Sequence, residues 1–169
     1  MIHHEKPIRT ALEGADYFGI ETGQTAPTLV LKSEKGYFAM IVSGSRGRVN
    51  LEEVSGILGC NQLKMATPKE VQQITGCTVG SVSIVLSLPC IVDRGLFRYP
   101  FIYGGTGEPT STLKIVPNAL EKLNQVVAFF WIKVRKFMSI NASVPVLKAG
   151  YPRPEPTATF YMDIRYSGE

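Results

Sequence analysis

The sequence predicts a mixed α/β domain of the α+β kind, and three observations carry that prediction. Runs of β-branched and aromatic residues, such as TLVLKS and GYFAMIVS within 28–43, read as strands. Between the apolar runs lie short stretches with capping residues at both ends, NLEEVSGILG and TPKEVQQITG, which read as helices. The two kinds of segment are interspersed without a regular βαβ repeat, which disfavours a doubly wound sheet. The 169 residues, 44% hydrophobic and 19% charged, suit one domain with a full core plus an appendage.

Taken in order, residues 28–43 form two strands around SEKG, with Gly36 supplying a left-handed turn position. Residues 46–49 extend the second strand. Asn50 then caps a helix whose Glu52 and Glu53 favour the positive end of its dipole, and Gly59 stops it. A short strand over 62–66 precedes the clearest helix boundary in the chain: Thr67 at the cap, Pro68 in the first turn, Glu70 closing a capping box, Gly76 at the end. Beyond a loop at Gly80, strands are expected over 82–86 and 90–93. RYPFIYGG is a further strand entering YGGTGEPTST, and STLKIV leaves it. Pro117 and Asn118 start a final helix, ALEKLNQVVAFF. After it come interleaved aromatic and basic residues in FFWIKVRKF, then three prolines, Pro152, Pro154 and Pro156, that favour an extended linker. The aromatic and basic stretch reads as a continuation of the last helix, or as a surface for membrane or RNA.

The net charge of +4 gives weak attraction to polyanions, short of a dedicated nucleic-acid face. Cys60, Cys77 and Cys90 are odd in number and widely spaced, so they suggest reduced thiols in a cytoplasmic protein and neither a zinc site nor a disulfide framework. No run of about 18 apolar residues and no signal-like N-terminus is present, so no membrane partner is expected. His3 and His4 read as exposed terminal residues, and no metal or other cofactor is called for.

YGGTGEPTST, residues 103–112, is the segment with the most chemical promise. A phosphate loop needs lysine and a hydroxyl residue directly after its last glycine, and Gly107 is followed by Glu108 and Pro109. A dinucleotide fingerprint needs a third glycine and a helix start, and the flanks here are strand-like. Two readings remain. The glycines either let backbone N–H groups approach a carbonyl oxygen or developing oxyanion, or they meet the φ demands of a hairpin turn. There is no GxSxG elbow and no Ser/His or Cys/His pair, so an enzyme built here works without a conventional nucleophile.

In order along the chain, APTLVLKSEKGYFAMIV, NLEEVSGILG, KMATPKEVQQITGCTVGSVS, LPCIVDRGLF, YGGTGEPTSTLKI and PNALEKL resemble the YbaK/prolyl-tRNA synthetase-associated family of aminoacyl-tRNA editing domains. The resemblance covers about residues 5 to 127, which implies an editing-like domain over 1–127 and a C-terminal extension over 128–169. It implies a mixed sheet or barrel flanked by helices. It also implies hydrolysis of a small amino acid wrongly esterified to tRNA, of the cysteinyl- or alanyl-tRNA for proline type, with the aminoacyl-tRNA acceptor end and prolyl-tRNA synthetase as partners. Relatives usually have a helix and a strand ahead of the segment matching IHHEKP, so a shortened N-terminus is expected.

What the resemblance implies for the site is specific. Gly104, Gly105, Thr106 and Gly107 would act on the aminoacyl ester, with Glu108, Ser111 and Thr112 beside them and Thr28 below. Gly80, Ser81 and Ser83 would form the opposite wall, and Asp93 would join the substrate-binding set by orienting a neighbouring loop. Water attacks the ester carbonyl, assisted by backbone N–H groups and the substrate's own ribose hydroxyl. The sequence departs from the family in one place that matters: many members carry a substrate-engaging lysine where this chain has Pro27, which offers neither charge nor N–H donor. Arg94 or Lys114 would have to reach the site to fill that role. A histidine that some members place at Ser111 is also missing. The alternative is therefore a non-catalytic module that binds aminoacyl-tRNA or a nucleotide.

Overall fold

The computed structural model describes residues 1–131. Its elements in chain order are β1 (Ile2–His3), α1 (Ala11–Phe18), β2 (Thr28–Ser33), β3 (Gly36–Ile41), α2 (Leu51–Leu58), β4 (Leu63–Met65), α3 (Pro68–Thr75), β5 (Cys90–Asp93), β6 (Ile102–Gly105), β7 (Ser111–Ile115), α4 (Ala119–Leu123) and β8 (Val126–Phe130). Short 3-10 turns fall at Thr22–Gln24 and Arg94–Arg98. This is the mixed α/β architecture that the interspersed pattern predicts, and among the described residues no helix is long and apolar enough to cross a membrane.

The larger sheet has the order β4-β2-β3-β5-β8, antiparallel from β4 to β3 and parallel from β3 to β8. Both of its faces are covered. Ala39, Ile41, Cys90 and Val92 point into one core with Ile84, Leu96, Ile102 and Leu120, while Leu31, Met40 and Ile91 point into another beneath Val54 of α2. Strict alternation along β3 and β5 thus distributes one strand's residues between two cores. The smaller sheet, β1-β7-β6, is antiparallel, and the main chain of β6 also meets two other segments in parallel bridges, Thr25 with Tyr103 and Ser83 with Gly105.

The caps behave as their chemistry requires. Thr67 and Glu70 form a reciprocal capping box with Pro68 in the first turn of α3, and Gly36, Gly59 and Gly76 take positive φ at 116°, 60° and 72°. A second capping box, Thr10 with Glu13, opens α1.

Several expected elements differ. Residues 46–49 add no strand; Arg46 turns instead to a buried ion pair with Asp93. The β-branched run 82–86 is not a strand and pairs only through the Ser83 bridge, with the Leu86 N–H donating to Asn124 Oδ1 at 2.9 Å. RYPFIYGG is strand only from Ile102; Arg98 ends the 3-10 turn at Arg94–Arg98, and residues 99–101 belong to neither element. The final helix stops at Leu123, because Asn124 is extended (φ −132°) and spends its side chain on Leu86, Ile84 and Leu120. VVAFF then pairs with β5 as a strand, so tertiary pairing overrides the helical pattern, and the boundary expected at 127/128 falls inside β8. The proline-rich segment and the rest of FFWIKVRKF beyond Trp131 lie outside the described residues.

Candidate functional site: a cavity between the two sheets

A cavity of about 310 Å³ opens where β2, β6 and the segment after α3 converge. Four walls can be distinguished. Residues 25–30, leading into and along β2, form the floor; residues 79–82 form one side; residues 103–105 with Glu108, Ser111 and Thr112 form the side adjoining it; residues 8–11 with Phe18 of α1 close the fourth.

Each wall has a local cause. Thr28 and Val30 share one face of β2, where Val30 packs with Val71 of α3, Cys77 and Val82. After α3 the chain reverses at Gly80 (φ 93°), and Ser81 is held by its N–H to the Thr78 carbonyl at 3.0 Å and its hydroxyl to Thr78. Gly80 lies so close to the Arg9 carbonyl that a Cβ would approach it to 3.2 Å. The N-terminal segment is fastened across the mouth. His3 pairs with Ser111, the His4 N–H donates to the Thr110 carbonyl at 3.0 Å, and the Ile8 N–H donates to the Pro109 carbonyl at 3.1 Å. His4, expected at the surface, is only 7% exposed: Nδ1 donates to the Lys6 carbonyl at 2.7 Å, which leaves Nε2 to accept from the Thr112 hydroxyl at 3.2 Å. Its ring also meets Tyr17 and Phe18.

The glycines of YGGTGEPTST are explained mainly by packing. A Cβ on Gly104 would sit 2.0 Å from Ile84 Cγ2, and one on Gly105 would sit 2.4 Å from the Val82 carbonyl oxygen. Gly107 needs positive φ (104°), and its N–H donates to the Ser81 carbonyl at 2.9 Å. The Glu108 N–H donates to Thr106 Oγ1 at 3.3 Å, and the Thr106 and Ser111 hydroxyls bond to each other. The donors at Gly107 and Glu108 are thus engaged within the protein, the first tying the turn to the 79–82 segment and the second bonding within the turn.

The expected site residues divide accordingly. Thr28, Gly80, Ser81, Gly104, Gly105, Glu108, Ser111 and Thr112 all line the cavity, whereas Ser83, Asp93, Thr106 and Gly107 stand behind the walls. Ser83 bridges to Gly105. Asp93 is fully buried, accepting the Arg46 guanidinium in a two-point pair (2.7 and 3.0 Å), the Ser43 N–H and the Gly95 N–H. Neither base suggested for the position of Pro27 lines the cavity: Arg94 lies over the Phe129 ring, and Lys114 over Phe101 and Tyr103. Pro27 itself does line it. Arg9 and Glu108 are the charged residues on the lining, both exposed. Arg9, Thr10, Phe18, Thr25 and Met65 were not among the expected residues; the TALE sequence at Thr10–Glu13, a capping box, was the signal that could have placed α1 and its neighbours.

One buried side-chain oxygen among the described residues finds no hydrogen-bond partner: Thr28 Oγ1. The three thiols are free and buried, and desolvation pushes Cys90 up to about 12, which keeps it protonated and unreactive.

Residues 5–123 match the model of the aminoacyl-tRNA editing domain. The chain belongs to that family. It is 30% identical over 105 residues to a proline–tRNA ligase of Thermosipho melanesiensis, an alignment covering 60% of this chain and 18% of the relative. A proline–tRNA ligase of Desulforamulus reducens is 36% identical over 77 residues, covering 46% of this chain and 13% of that one. The chain therefore spans less than a fifth of the length of these relatives. Among solved structures, a protein proposed as a trans-editing enzyme for prolyl tRNA synthetase superposes with a TM-score of 0.68 at 33% identity, covering 74% of this chain and 80% of that one. The crystal structure of a hypothetical protein follows at 0.66 and 28%, covering 72% and 83%.

Proposed function

We propose that this editing domain hydrolyses the ester linking a wrongly attached small amino acid to the 3′ end of tRNA, with alanyl- and cysteinyl-tRNA for proline as the first candidates. The observation that carries the reading is the cavity itself, formed where the 79–82 and 103–112 segments of an editing-family domain, joined to each other by main-chain hydrogen bonds, meet residues 25–30. Gly104 and Gly105 bring main chain to the cavity wall, the space on their Cβ side being filled by Ile84 and the Val82 carbonyl. Ser81, Ser111 and Thr112 lie on the lining with their hydroxyls bonded to Thr78, Thr106 and His4, so each can offer the ester or ribose only a further lone pair, and Thr28 belongs to the floor. Thr106, Gly107 and Ser83 hold these walls in place, and Asp93 orders the 43–46 loop and Gly95 behind them. In the reaction, water adds to the ester carbonyl carbon, the bond to the ribose oxygen breaks, and that oxygen takes the proton. The amino acid and a free tRNA 3′ end are released in the cytoplasm, the chain serving prolyl-tRNA synthetase in trans.

A second reading, a binding module without turnover, draws on two observations. Pro27 brings no cation to the floor, and the Gly107 and Glu108 N–H groups are already bonded within the protein. Incubation with mischarged tRNA separates the two: release of amino acid faster than in buffer supports hydrolysis, and none across alanyl-, cysteinyl- and seryl-tRNA for proline rules it out. A gain of turnover in Pro27→Lys would identify an otherwise competent cavity that lacks only the charge.

A further inference from the structure

We propose that Lys114 and Phe101, beside Tyr103, form a strip outside the cavity that binds unpaired nucleotides of an RNA 3′ end, a base stacking on Phe101 and a phosphate pairing with Lys114. The inference rests on the reading of the cavity as the seat of the aminoacylated 3′ end, and it extends that reading to the RNA outside the cavity.

The strip starts at the cavity wall. Tyr103 lines the cavity, and its ring meets that of Phe18 at 5.1 Å between centroids. Lys114 is the register partner of Tyr103 across β6 and β7. Its ammonium lies 5.6 Å from the Tyr103 ring centre and 4.5 Å from that of Phe101, so one cation reaches both rings and sets them on the same side of the chain. Phe101 stands two residues back from Tyr103, about 7 Å along an extended chain and away from the cavity. Ile102 between the two rings is buried in the core, and Leu113 and Ile115 on either side of Lys114 pack against the same core. The outward positions are left to water: Phe101 is 42% exposed and Lys114 is exposed, with Val116 beyond it at 48%. The Gln24 side chain fixes the main chain here by donating to the Phe101 carbonyl at 3.3 Å.

The fold leaves Lys114 without a strong partner. Among the described residues the ion pairs are Lys32 with Glu70 and Arg46 with Asp93, and none includes Lys114. The nearby carboxylate of Glu21 accepts from the Tyr99 hydroxyl, over whose ring Arg98 lies, so that acid is matched elsewhere. An exposed ammonium over a ring is weakly held, whereas a phosphate offers it a charge-assisted hydrogen bond. Once the ammonium turns to a phosphate, the Phe101 face is open for a base, the contact that binds unpaired nucleotides with little regard to sequence. An aromatic plane beside an unpaired cation is thus matched to a base and its phosphate together. The position agrees: an RNA whose last nucleotide occupies the cavity has its preceding nucleotides outside it, and the strip adjoins the Tyr103 wall.

The test uses the full chain and an unacylated, labelled RNA hairpin with an unpaired 3′ end, beside the same hairpin made blunt, with affinities from fluorescence anisotropy at several salt concentrations. The wild type is expected to bind the overhanging hairpin about tenfold more tightly than the blunt one, the worth of one stacked base. Phe101→Leu keeps an apolar side chain but removes the plane, and should bring the ratio to within about twofold, whereas Phe101→Tyr should retain it. Lys114→Gln should weaken the overhanging hairpin and lower the slope of log affinity against log salt by about one. Equal affinities for the two hairpins in the wild type, a ratio that survives Phe101→Leu, or a salt slope unchanged in Lys114→Gln would each overturn the strip. The cavity is read separately, from release of alanine from alanyl-adenosine by the wild type, a substrate too short to reach Phe101. Absence of that release together with a stacking-dependent hairpin ratio would refute the ester reading and leave the RNA strip standing; release without such a ratio would do the reverse.

Discussion

Gly105→Ala is the substitution that most directly asks what the glycine loop is for. An alanine Cβ would stand 2.4 Å from the Val82 carbonyl oxygen and 3.0 Å from that of Ser81. The first distance is about 1 Å inside ordinary contact, and both obstacles are main chain, so no side-chain rotation relieves them. The 81–84 segment must move off β6, which strains the hydrogen bonds Ile84 N–H to Gly105 O (2.9 Å) and Gly107 N–H to Ser81 O (2.9 Å). Each is worth about 0.5–1.5 kcal/mol net, and overpacking of this kind costs about 1–3 kcal/mol by itself. A loss of about 2–4 kcal/mol is expected, lowering the melting temperature by roughly 6–20 °C for a domain of this size. Urea denaturation followed by circular dichroism measures it. A Gly105→Ala protein within about 2 °C of the wild type, with an unchanged midpoint in urea, would refute the packing account and return the glycine to a purely ligand-facing role.

Other outcomes follow from the same geometry. Gly56 lies inside α2 with nothing within 4 Å of where a Cβ would be, so Gly56→Ala should stabilise the protein by about 0.5–1 kcal/mol in a urea titration. Asp93→Ala removes the carboxylate that the partly buried Arg46 guanidinium and two N–H groups share, and should cost about 3–5 kcal/mol in the same measurement. The Lys32 ammonium, with help from Thr67, holds the Glu70 carboxyl down to about 2. Because that folded value lies below the ordinary 4.5, the stability it contributes is present above about pH 4.5 and is lost as pH falls through about 2. An NMR titration should find Glu70 near 2 in the wild type and closer to the ordinary value in Lys32→Met.

The parts of this fold that were legible in the sequence are those specified by neighbours in the chain. The α3 caps and the β2–β3 turn are local, because Thr67, Pro68 and Glu70, or Gly36 alone, determine the backbone on the spot. Where the expectation failed, the deciding partner lay far away. Asn124 ends α4 by bonding to the 84–86 segment, and β5 recruits residues 126–130 as a strand. The same holds for the site. The 79–82 and 103–112 walls could be recognised from glycines and hydroxyls, but the fourth wall could not, because residues 8–11 line the cavity only through pairing with β7 and its turn. Burial of His4 has the same origin.

The four walls come from stretches scattered from residue 8 to residue 112, and β6 ties its own wall to the floor through Thr25 and to the 79–82 segment through the neighbouring Ser83. Such closures carry a large loop entropy and form late in folding, so the cavity exists only in the assembled domain. Anything that occupies it is therefore linked to global unfolding rather than to the opening of one loop, and slows hydrogen exchange across both sheets together. A ligand for this domain can consequently be sought by its effect on the exchange of amides far from the cavity, such as those of β3 and β5.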